Sequence, residues 1–218
     1  MGDLATHREV RPQLEASMLR IDLVEKRFDD AVILKDFQVT IEDGEAVAIV
    51  GESGIGKSTL LRIAAGIDQT FEGHVQRSSH CAMVFQDPRL LPWRSAYANL
   101  ALAHPRVPKS QISKMLTRVG LQNREAALPS QLSLGQQRRL SLARAFLGNP
   151  EFMILDEPFT SLDTQTHREM LKLTSDLIAS TGASLLLVTH NHNEAWALAT
   201  QVFELKGSPA KLTKRRCL

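Results

Sequence analysis

Apolar and polar positions alternate along two segments near the start of the chain. Each segment would put three apolar side chains on one face of a strand, with polar residues such as Asp22, Gln38 and Thr40 opposite. The apolar positions are Leu19, Ile21 and Leu23 in the first segment, and Phe37, Val39 and Ile41 in the second. A period of two predicts a pair of half-buried antiparallel strands.

Further along the chain, apolar residues form short continuous runs at 46–50, 152–155 and 185–188. Continuous runs indicate parallel strands that are covered on both faces. Helical periodicity predicts three helices, over 57–65, 110–119 and 164–180. Together the patterns predict an α/β fold with a mainly parallel core sheet and an N-terminal antiparallel β subdomain.

The stretch from about 87 to 147 has helical patterns but no strong strand, which predicts a helical insertion subdomain. Residues 1–16 mix charges without an apolar core and predict a loose N-terminal tail, so that 17–218 is a single domain. Basic residues cluster in a predicted C-terminal tail at about 206–218. Two interpretations of this tail stay open: simple solvation, and attraction to an anionic membrane surface at ~1 kcal/mol per charge.

The composition narrows the class of protein. With 218 residues, 43% of them hydrophobic and 23% charged, the chain resembles an ordinary soluble globular domain. The net charge of +2 argues against a nucleic-acid partner, which usually meets a concentrated basic face. No apolar run approaches the ~18 residues that span a bilayer. A function at a membrane would therefore require another chain to span it.

A glycine-rich segment follows the apolar run at 46–50 and opens the first predicted helix. It matches the pattern G-x-x-x-x-G-K-[ST] and predicts a P-loop NTPase fold. Its backbone N–H groups and the helix N-terminus would cradle phosphates, Lys57 would reach the β- and γ-phosphates, and Ser58 would bind Mg²⁺. The predicted nucleotide-binding residues here are Gly51, Glu52, Ser53, Gly54, Ile55, Gly56, Lys57, Ser58 and Thr59.

Acidic and histidine residues follow two other apolar runs. Asp156 ends one run and would bind Mg²⁺, and Glu157 comes next and could act as general base on the attacking water. His190 follows the run at 185–188, where it could touch the γ-phosphate. The alternatives are a solvated turn for the carboxylates and a surface histidine for His190. A metal-binding pair of His190 with His192 also stays open.

Phosphate binding alone permits a kinase, a GTPase or an ATPase, but a later segment is more specific. Residues 132–145 read Leu-Ser-Leu-Gly-Gln-Gln-Arg-Arg-Leu-Ser-Leu-Ala-Arg-Ala. This segment resembles the signature motif of ATP-binding-cassette (ABC) proteins, and it precedes Asp156 at the family's spacing. Gln86 resembles the Q-loop glutamine, Asp163 belongs to a segment that resembles the D-loop, and Phe28 stands where the family has an adenine-stacking aromatic.

The resemblance implies an ATPase that uses ATP and Mg²⁺, with Lys57, Gln86, Glu157 and His190 in catalysis. It implies that Ser58, Gln86 and Asp156 hold the metal ion. Ser133, Gly135 and Gln136 would form a second anion site at a helix that starts near Gln136. This second site would face the phosphate loop of another copy in a head-to-tail homodimer, and Asp163 would link the two sites. A core position for Phe28 is the alternative to adenine stacking.

The resemblance further implies a peripheral subunit on the cytoplasmic face of the inner membrane, partnered by a transmembrane permease. A groove near Gln86 would receive a short helix of the permease, and a solute-binding protein could take part indirectly. Pro158-Phe159 resembles import ATPases more than exporters. The segment 90–93 resembles subunits of importers for nitrate, sulfonates, taurine and similar small solutes. Export, a soluble cassette ATPase outside transport, and an inactive binding module are the alternatives. A GTPase is disfavoured because no Asn-Lys-x-Asp occurs.

Leu134 departs from the family pattern, which usually has glycine at this position. If the backbone there needs a positive φ, leucine would cost about 1–2 kcal/mol. If it does not, the side chain would simply point outward. Because Ser133 and Gly135 are intact, activity is expected to survive in either case.

Overall fold

The computed structural model describes residues 17–215, so the predicted tail at 1–16 lies outside it. The chain forms two sheets and six α-helices within this range. The strands are β1 (Ser17–Phe28), β2 (Ala31–Glu42), β3 (Ala46–Val50), β4 (Glu72–Arg77), β5 (Cys81–Val84), β6 (Phe152–Asp156), β7 (Ser184–Thr189), β8 (Gln201–Lys206) and β9 (Lys211–Arg215). The helices are α1 (Lys57–Ala64), α2 (Ala96–Ala103), α3 (Lys109–Arg118), α4 (Leu134–Phe146), α5 (Thr164–Thr181) and α6 (His192–Leu198).

The smaller sheet is antiparallel and has the strand order β2-β1-β4. The alternating apolar side chains of β1 and β2 are buried on one face, as the period of two predicts. Both strands are longer than their apolar patterns, and they pair along their length from Ser17 with Glu42 to Phe28 with Ala31. β4 has few apolar residues, and the sequence pattern did not predict it.

The larger sheet has the strand order β5-β6-β7-β3-β8-β9, and all neighbours are parallel except β8 and β9. Its three predicted central strands are β3, β6 and β7. Successive side chains of β3 alternate between two buried clusters: Val47 and Ile49 pack toward α1 and the small sheet, and Ala48 and Val50 pack toward α4 and α5. Burial on both faces explains the continuous apolar runs. The predicted α/β fold with a mainly parallel core sheet is confirmed.

The C-terminal end differs from the predicted basic tail. Residues 211–215 form β9, which pairs antiparallel with β8 at the edge of the large sheet. The sequence pattern gave no strand there because Leu212 is the only apolar residue among lysine, threonine and arginine. An edge strand with basic side chains is a common way to discourage pairing with other chains. No helix within residues 17–215 is long and apolar enough to cross a membrane.

The stretch predicted as a helical insertion contains α2, α3, a 3₁₀ turn at Pro129–Gln131 and α4. These elements share a separate apolar cluster that includes Leu100, Leu116 and Leu140. α4 also contacts β5, so it connects this cluster to the large sheet. The insertion therefore packs as a small helical layer beside the carboxyl end of β5.

Candidate active site

The segment from Gly51 to Ser58 runs from the end of β3 into the first turn of α1. Gly54 and Gly56 have φ values of 80° and 109°, in the left-handed region that favours glycine. A Cβ on Gly56 would also lie 2.9 Å from Leu34 Cδ2, so a larger residue is excluded twice over. No side chain caps the N-terminus of α1. Its backbone N–H groups are therefore available to an anion.

Lys57 is the most tightly held residue of this phosphate loop. Its side chain is only 4% exposed, and its Nζ donates hydrogen bonds to the carbonyl oxygens of Gly51 (3.0 Å) and Glu52 (2.8 Å). Nζ also lies 3.2 Å from Glu157 Oε1. The ammonium thus curls back over the loop and joins it to the carboxylate that follows β6.

Ser58 of α1 and Asp156 of β6 come together although β7 separates β6 from β3, the strand that precedes α1. Ser58 Oγ donates a hydrogen bond of 3.3 Å to Asp156 Oδ1. Asp156 is buried, and burial raises the pKa of this carboxyl above its ordinary value. A hydroxyl and a buried carboxylate in contact are the oxygen ligands that Mg²⁺ prefers, so the residues present suit that ion.

Glu157 has a φ of 42°, which is unusual for a residue with a side chain and costs about 1–3 kcal/mol. Its N–H donates to the Val188 carbonyl oxygen of β7 at 2.9 Å. Its Oε2 lies 3.1 Å from His190 Nδ1 and accepts a hydrogen bond of 3.2 Å from Thr160 Oγ1. This backbone turn aims the carboxylate at the phosphate loop and the histidine together.

The environment of Glu157 favours its ionised form. Burial works to raise the pKa of Glu157, but the hydrogen bond and charge of Lys57 oppose it, as do the hydrogen bonds from His190 and Thr160. The opposing contacts prevail, and the pKa of Glu157 lies below the ordinary glutamate value. The carboxylate is therefore deprotonated at neutral pH, as a general base must be.

Phe28 and Gln86 lie at the ends of their strands, β1 and β5. The Phe28 side chain is 49% exposed, which excludes the core position, and Lys26 Nζ lies 4.6 Å from its ring centroid. Lys26 is itself buried and paired with Asp68. Gln86 is exposed two residues beyond β5, the strand next to β6. Both side chains are exposed, so they could contact a ligand without any rearrangement of the core.

The signature segment forms the start of α4, and the helix begins two residues earlier than the sequence analysis expected. Ser133 is its N-cap, with Ser133 Oγ accepting from the Gln136 N–H and Gln136 Oε1 accepting from the Ser133 N–H. This reciprocal capping explains the earlier start. Gly135 is buried, and a Cβ there would lie 2.8 Å from Thr166 Cγ2. Glycine thus allows α4 to approach the first turn of α5.

Within residues 17–215, no hydrogen bond joins Ser133 or Gly135 to the phosphate loop. Asp163 caps α5 by accepting from the N–H groups of Gln165 and Thr166. The hydrogen bond from the Thr166 side chain, followed by these backbone hydrogen bonds, lowers the pKa of Asp163. The chain therefore assembles Lys57, Asp156, Glu157 and His190 in one place and leaves the signature separate.

Leu134 is the first helical residue of α4, so its backbone does not need a positive φ. Its side chain is 41% exposed and points outward, which excludes the strained alternative. We expect Leu134→Gly to give no gain in ATP hydrolysis, because there is no strain to relieve. Steady-state ATPase assays of the two proteins would measure this. A several-fold faster Leu134→Gly variant would contradict an unstrained leucine.

The sequence analysis missed two residues that shape this site. Thr160 holds Glu157 through its hydroxyl, and Arg138 of α4 donates to the carbonyl oxygens of Glu157 and Pro158. Thr160 lies three residues after a glutamate, which is a weak local signal. Arg138 stands beside Arg139 in a polar helical segment, where the sequence suggests a solvent-exposed charge.

Sequence comparisons identify relatives of this chain. The sequence profile of ABC transporters matches residues 34–160. The aliphatic sulfonates import ATP-binding protein SsuB 1 of Streptomyces avermitilis is 42% identical over 86% of this chain and 72% of its own length. The protein SsuB of Cupriavidus pinatubonensis, with the same description, is 39% identical over 92% of this chain and 70% of its own length.

Solved structures with a similar fold point to the same family. A dimeric ATP-binding cassette in a post-hydrolysis state, bound to ADP and Pi, superposes with a TM-score of 0.77 at 26% identity, covering 92% of this chain and 100% of that one. The protein cbiO1 of Clostridium perfringens, part of the ABC transporter complex cbiONQ, superposes with a TM-score of 0.78 at 26% identity, covering 91% and 88%. This chain therefore belongs to the ABC transporter family, as one of its ATPases.

Proposed function

We propose that this chain is the ATP-hydrolysing subunit of an importer for small organic anions, with aliphatic sulfonates as the leading candidates. One observation carries the proposal: Lys57, Glu157 and His190 form a continuous chain of polar contacts around an uncapped helix N-terminus. This arrangement offers an anion site, a general base and a group for the γ-phosphate together. The import function and the sulfonate cargo are inferred from the names of the relatives.

ATP would enter by exchanging contacts that already exist. The β- and γ-phosphates would draw Lys57 Nζ away from the carbonyl oxygens of Gly51 and Glu52, which hold it at 3.0 and 2.8 Å. The loop N–H groups would then bind the phosphate oxygens. Glu157 would accept a proton from the attacking water, and His190 would bind the γ-phosphate. Gln86 would hold the water or the metal ion from the neighbouring strand.

Mg²⁺ would be held by Ser58 and Asp156, whose oxygen atoms are 3.3 Å apart. Bound there, the ion would neutralise charge on the transferring phosphoryl group. The buried Asp156 carboxylate would gain a counter-charge, which offsets the burial that raises its pKa. On the other side of the nucleotide, the exposed Phe28 ring offers a flat surface for stacking adenine.

The separate position of the signature segment supports a homodimer. Ser133 and Gly135 begin a helix whose N-terminus favours an anion, yet they contact no part of their own phosphate loop by hydrogen bonds within 17–215. A head-to-tail partner would bring this second anion site onto the first. ATP would then stabilise the closed pair and ADP would not, because only the γ-phosphate contacts both halves.

A cleft in the helical layer supports docking of a membrane-spanning permease. The cleft has a volume of about 680 Å³ and is lined by residues that include His104, Arg106 and Met115. Arg144 lies behind it, accepting from His104 through its carbonyl oxygen and donating to the carbonyl oxygens of Pro88 and Arg89 just after Gln86. A helix in this cleft would therefore sense the position of Gln86.

The same layer presents an exposed aromatic side chain on a rigid support. Trp93 is 70% exposed, and the segment around it is held by the buried Asn99. Asn99 exchanges hydrogen bonds with both backbone groups of Leu91 and donates to the carbonyl oxygens of Arg94 and Ser95. A large exposed aromatic held in place is typical of a protein contact. The chain would thus sit at the cytoplasmic face of the membrane, on its permease.

The proposed function can be tested by purifying the full chain from its own cells in mild detergent. We expect one multi-spanning membrane protein to copurify. In vesicles of that complex, an alkanesulfonate should accumulate inward with ATP and should stimulate hydrolysis, whereas nitrate at the same concentration should not. Recovery of the ATPase without a membrane partner would favour a soluble role, and outward movement of solute would favour an exporter.

A further inference from the structure

Arg138 uses its buried charge in an unusual way. The residue is only 7% exposed, and its Nη1 donates to the Pro158 carbonyl oxygen at 2.5 Å and to the Glu157 carbonyl oxygen at 3.4 Å. Among the described residues, no carboxylate forms an ion pair with it, and its buried Nε has no hydrogen-bond partner. A buried guanidinium is costly unless its contacts matter, and these contacts are both to backbone carbonyls.

Those two carbonyls belong to the turn that orients Glu157. The turn has a positive φ at Glu157, and its N–H is tied to Val188 of β7. The carboxylate is also held by Lys57, at 3.2 Å. ATP would remove that contact, because the phosphates would take Lys57. The hydrogen bonds from Arg138 to the carbonyl oxygens of Glu157 and Pro158 would then still hold this turn, because the substrate does not displace them.

Arg138 also connects two regions that the geometry otherwise keeps apart. It lies about one and a half turns into α4, the helix that Ser133 caps. A shift of α4 therefore moves the guanidinium and the carbonyls bound to it. In a head-to-tail pair, Ser133 would face the partner's nucleotide while Glu157 serves the chain's own nucleotide. A shift of α4 caused by the partner's nucleotide would therefore move Glu157 at the chain's own nucleotide through the Arg138 side chain.

We propose that Arg138 is a positioning residue that holds the Glu157 turn and ties its geometry to the signature helix. This inference rests on the proposed function, because it needs Glu157 to be the base. The competing interpretation is that Arg138 only fills space between α4 and the end of β6. The two interpretations differ in one respect: a positioning residue has no effect on turnover once the base has been removed.

A double-mutant cycle separates them. Arg138→Met, which keeps a long side chain but donates nothing, should lower kcat about 10-fold, since small misplacements of a catalytic group cost up to ~100-fold. The KM for ATP should stay within about two-fold of the parent value, because the phosphate loop is untouched. In a Glu157→Gln background, the same change should lower the residual turnover by less than about two-fold. Equal losses in both backgrounds would overturn the proposal, as would an unchanged kcat.

Arg139→Met is the matched control. Arg139 lies on the same helix, but it pairs with Glu169 at 2.7 Å and donates to the Val119 carbonyl oxygen, away from Glu157. Any loss of turnover that it causes should be the same in both backgrounds. Arg138→Gln, which can still donate to one carbonyl, should recover part of the lost kcat. If Arg138→Met fails to fold, Arg138→Gln takes its place in the double-mutant cycle, and equal losses of kcat in both backgrounds would oppose the proposal. If both variants fold, a kcat of Arg138→Gln no higher than that of Arg138→Met would also oppose it.

The outcomes also separate this inference from the proposed function. If Glu157→Gln alone leaves turnover near normal, the assignment of the base is wrong and the inference fails with it. If Glu157→Gln slows turnover and Arg138→Met does not, the base stands and the positioning role of Arg138 is wrong. Thermal unfolding and ATP binding of each variant show whether the fold is intact.

Discussion

Glu157→Gln should hydrolyse ATP at least ~100-fold more slowly than the parent protein while still binding it. The change removes the carboxylate that would take a proton from water. The glutamine side chain has nearly the same shape, so it can keep the hydrogen bond from Thr160 Oγ1 that the carboxylate accepts at 3.2 Å. Phosphate release in a single turnover measures the slowing, and titration with a fluorescent ATP analogue measures the binding.

Glu169→Gln is the control, since Glu169 is exposed and pairs with Arg139 outside the site. Its turnover should match that of the parent. The Glu157→Gln variant should also form dimers with ATP and stay monomeric with ADP, because it traps the closed state. Light scattering would show both. A turnover near normal would remove Glu157 from the base role, and monomers with both nucleotides would argue against closure by ATP.

Lys57→Met should weaken ATP binding about 10- to 100-fold, as expected when a charge-assisted hydrogen bond worth about 1.5–3 kcal/mol is lost. The change removes the cation that would meet the β- and γ-phosphates. It also takes away the hydrogen bond and charge that lower the pKa of Glu157, so that pKa should rise in the empty protein. Calorimetric titration with ATP gives the affinity.

Lys172→Met is the matched control for loss of a lysine. Lys172 is 77% exposed and pairs with Asp176 on α5, far along the chain from the phosphate loop. Its ATP affinity should equal that of the parent. If Lys57→Met binds ATP as tightly as this control, then Lys57 does not contact the phosphates and the loop binds them through its backbone alone.

The central strands and the phosphate loop were predictable because each has a strong local signal. Continuous apolar runs predicted β3, β6 and β7, and the match to G-x-x-x-x-G-K-[ST] predicted the loop. β4 and β9 were not predictable, because both are polar and are held by backbone pairing. β4 pairs with β1, which is distant in sequence, and β9 pairs with β8 at the edge of the large sheet. Such pairing leaves little trace in the residues themselves.

Within the site, the residue types were predictable but their contacts were not. The sequence indicated Lys57 and Glu157 as separate groups, yet it held no signal that they would pair with each other. Arg138 shows the same limit on predicting contacts, because two neighbouring arginines lie in different environments. Arg138 is buried against carbonyls and Arg139 lies nearer the surface. Only the orientation of α4 against β6 decides which arginine faces the catalytic turn.

The pairing of Lys57 with Glu157 would make the proton affinity of the carboxylate depend on whether a nucleotide is bound. While the lysine stays, it stabilises the carboxylate and makes it a poor proton acceptor. If phosphate drew the lysine away, the carboxylate would lose that support and gain a negative neighbour, and both changes would raise its affinity for a proton. If Glu157 is the base, the arriving nucleotide would therefore make it a stronger one, and the strengthening would coincide with the presence of ATP to hydrolyse.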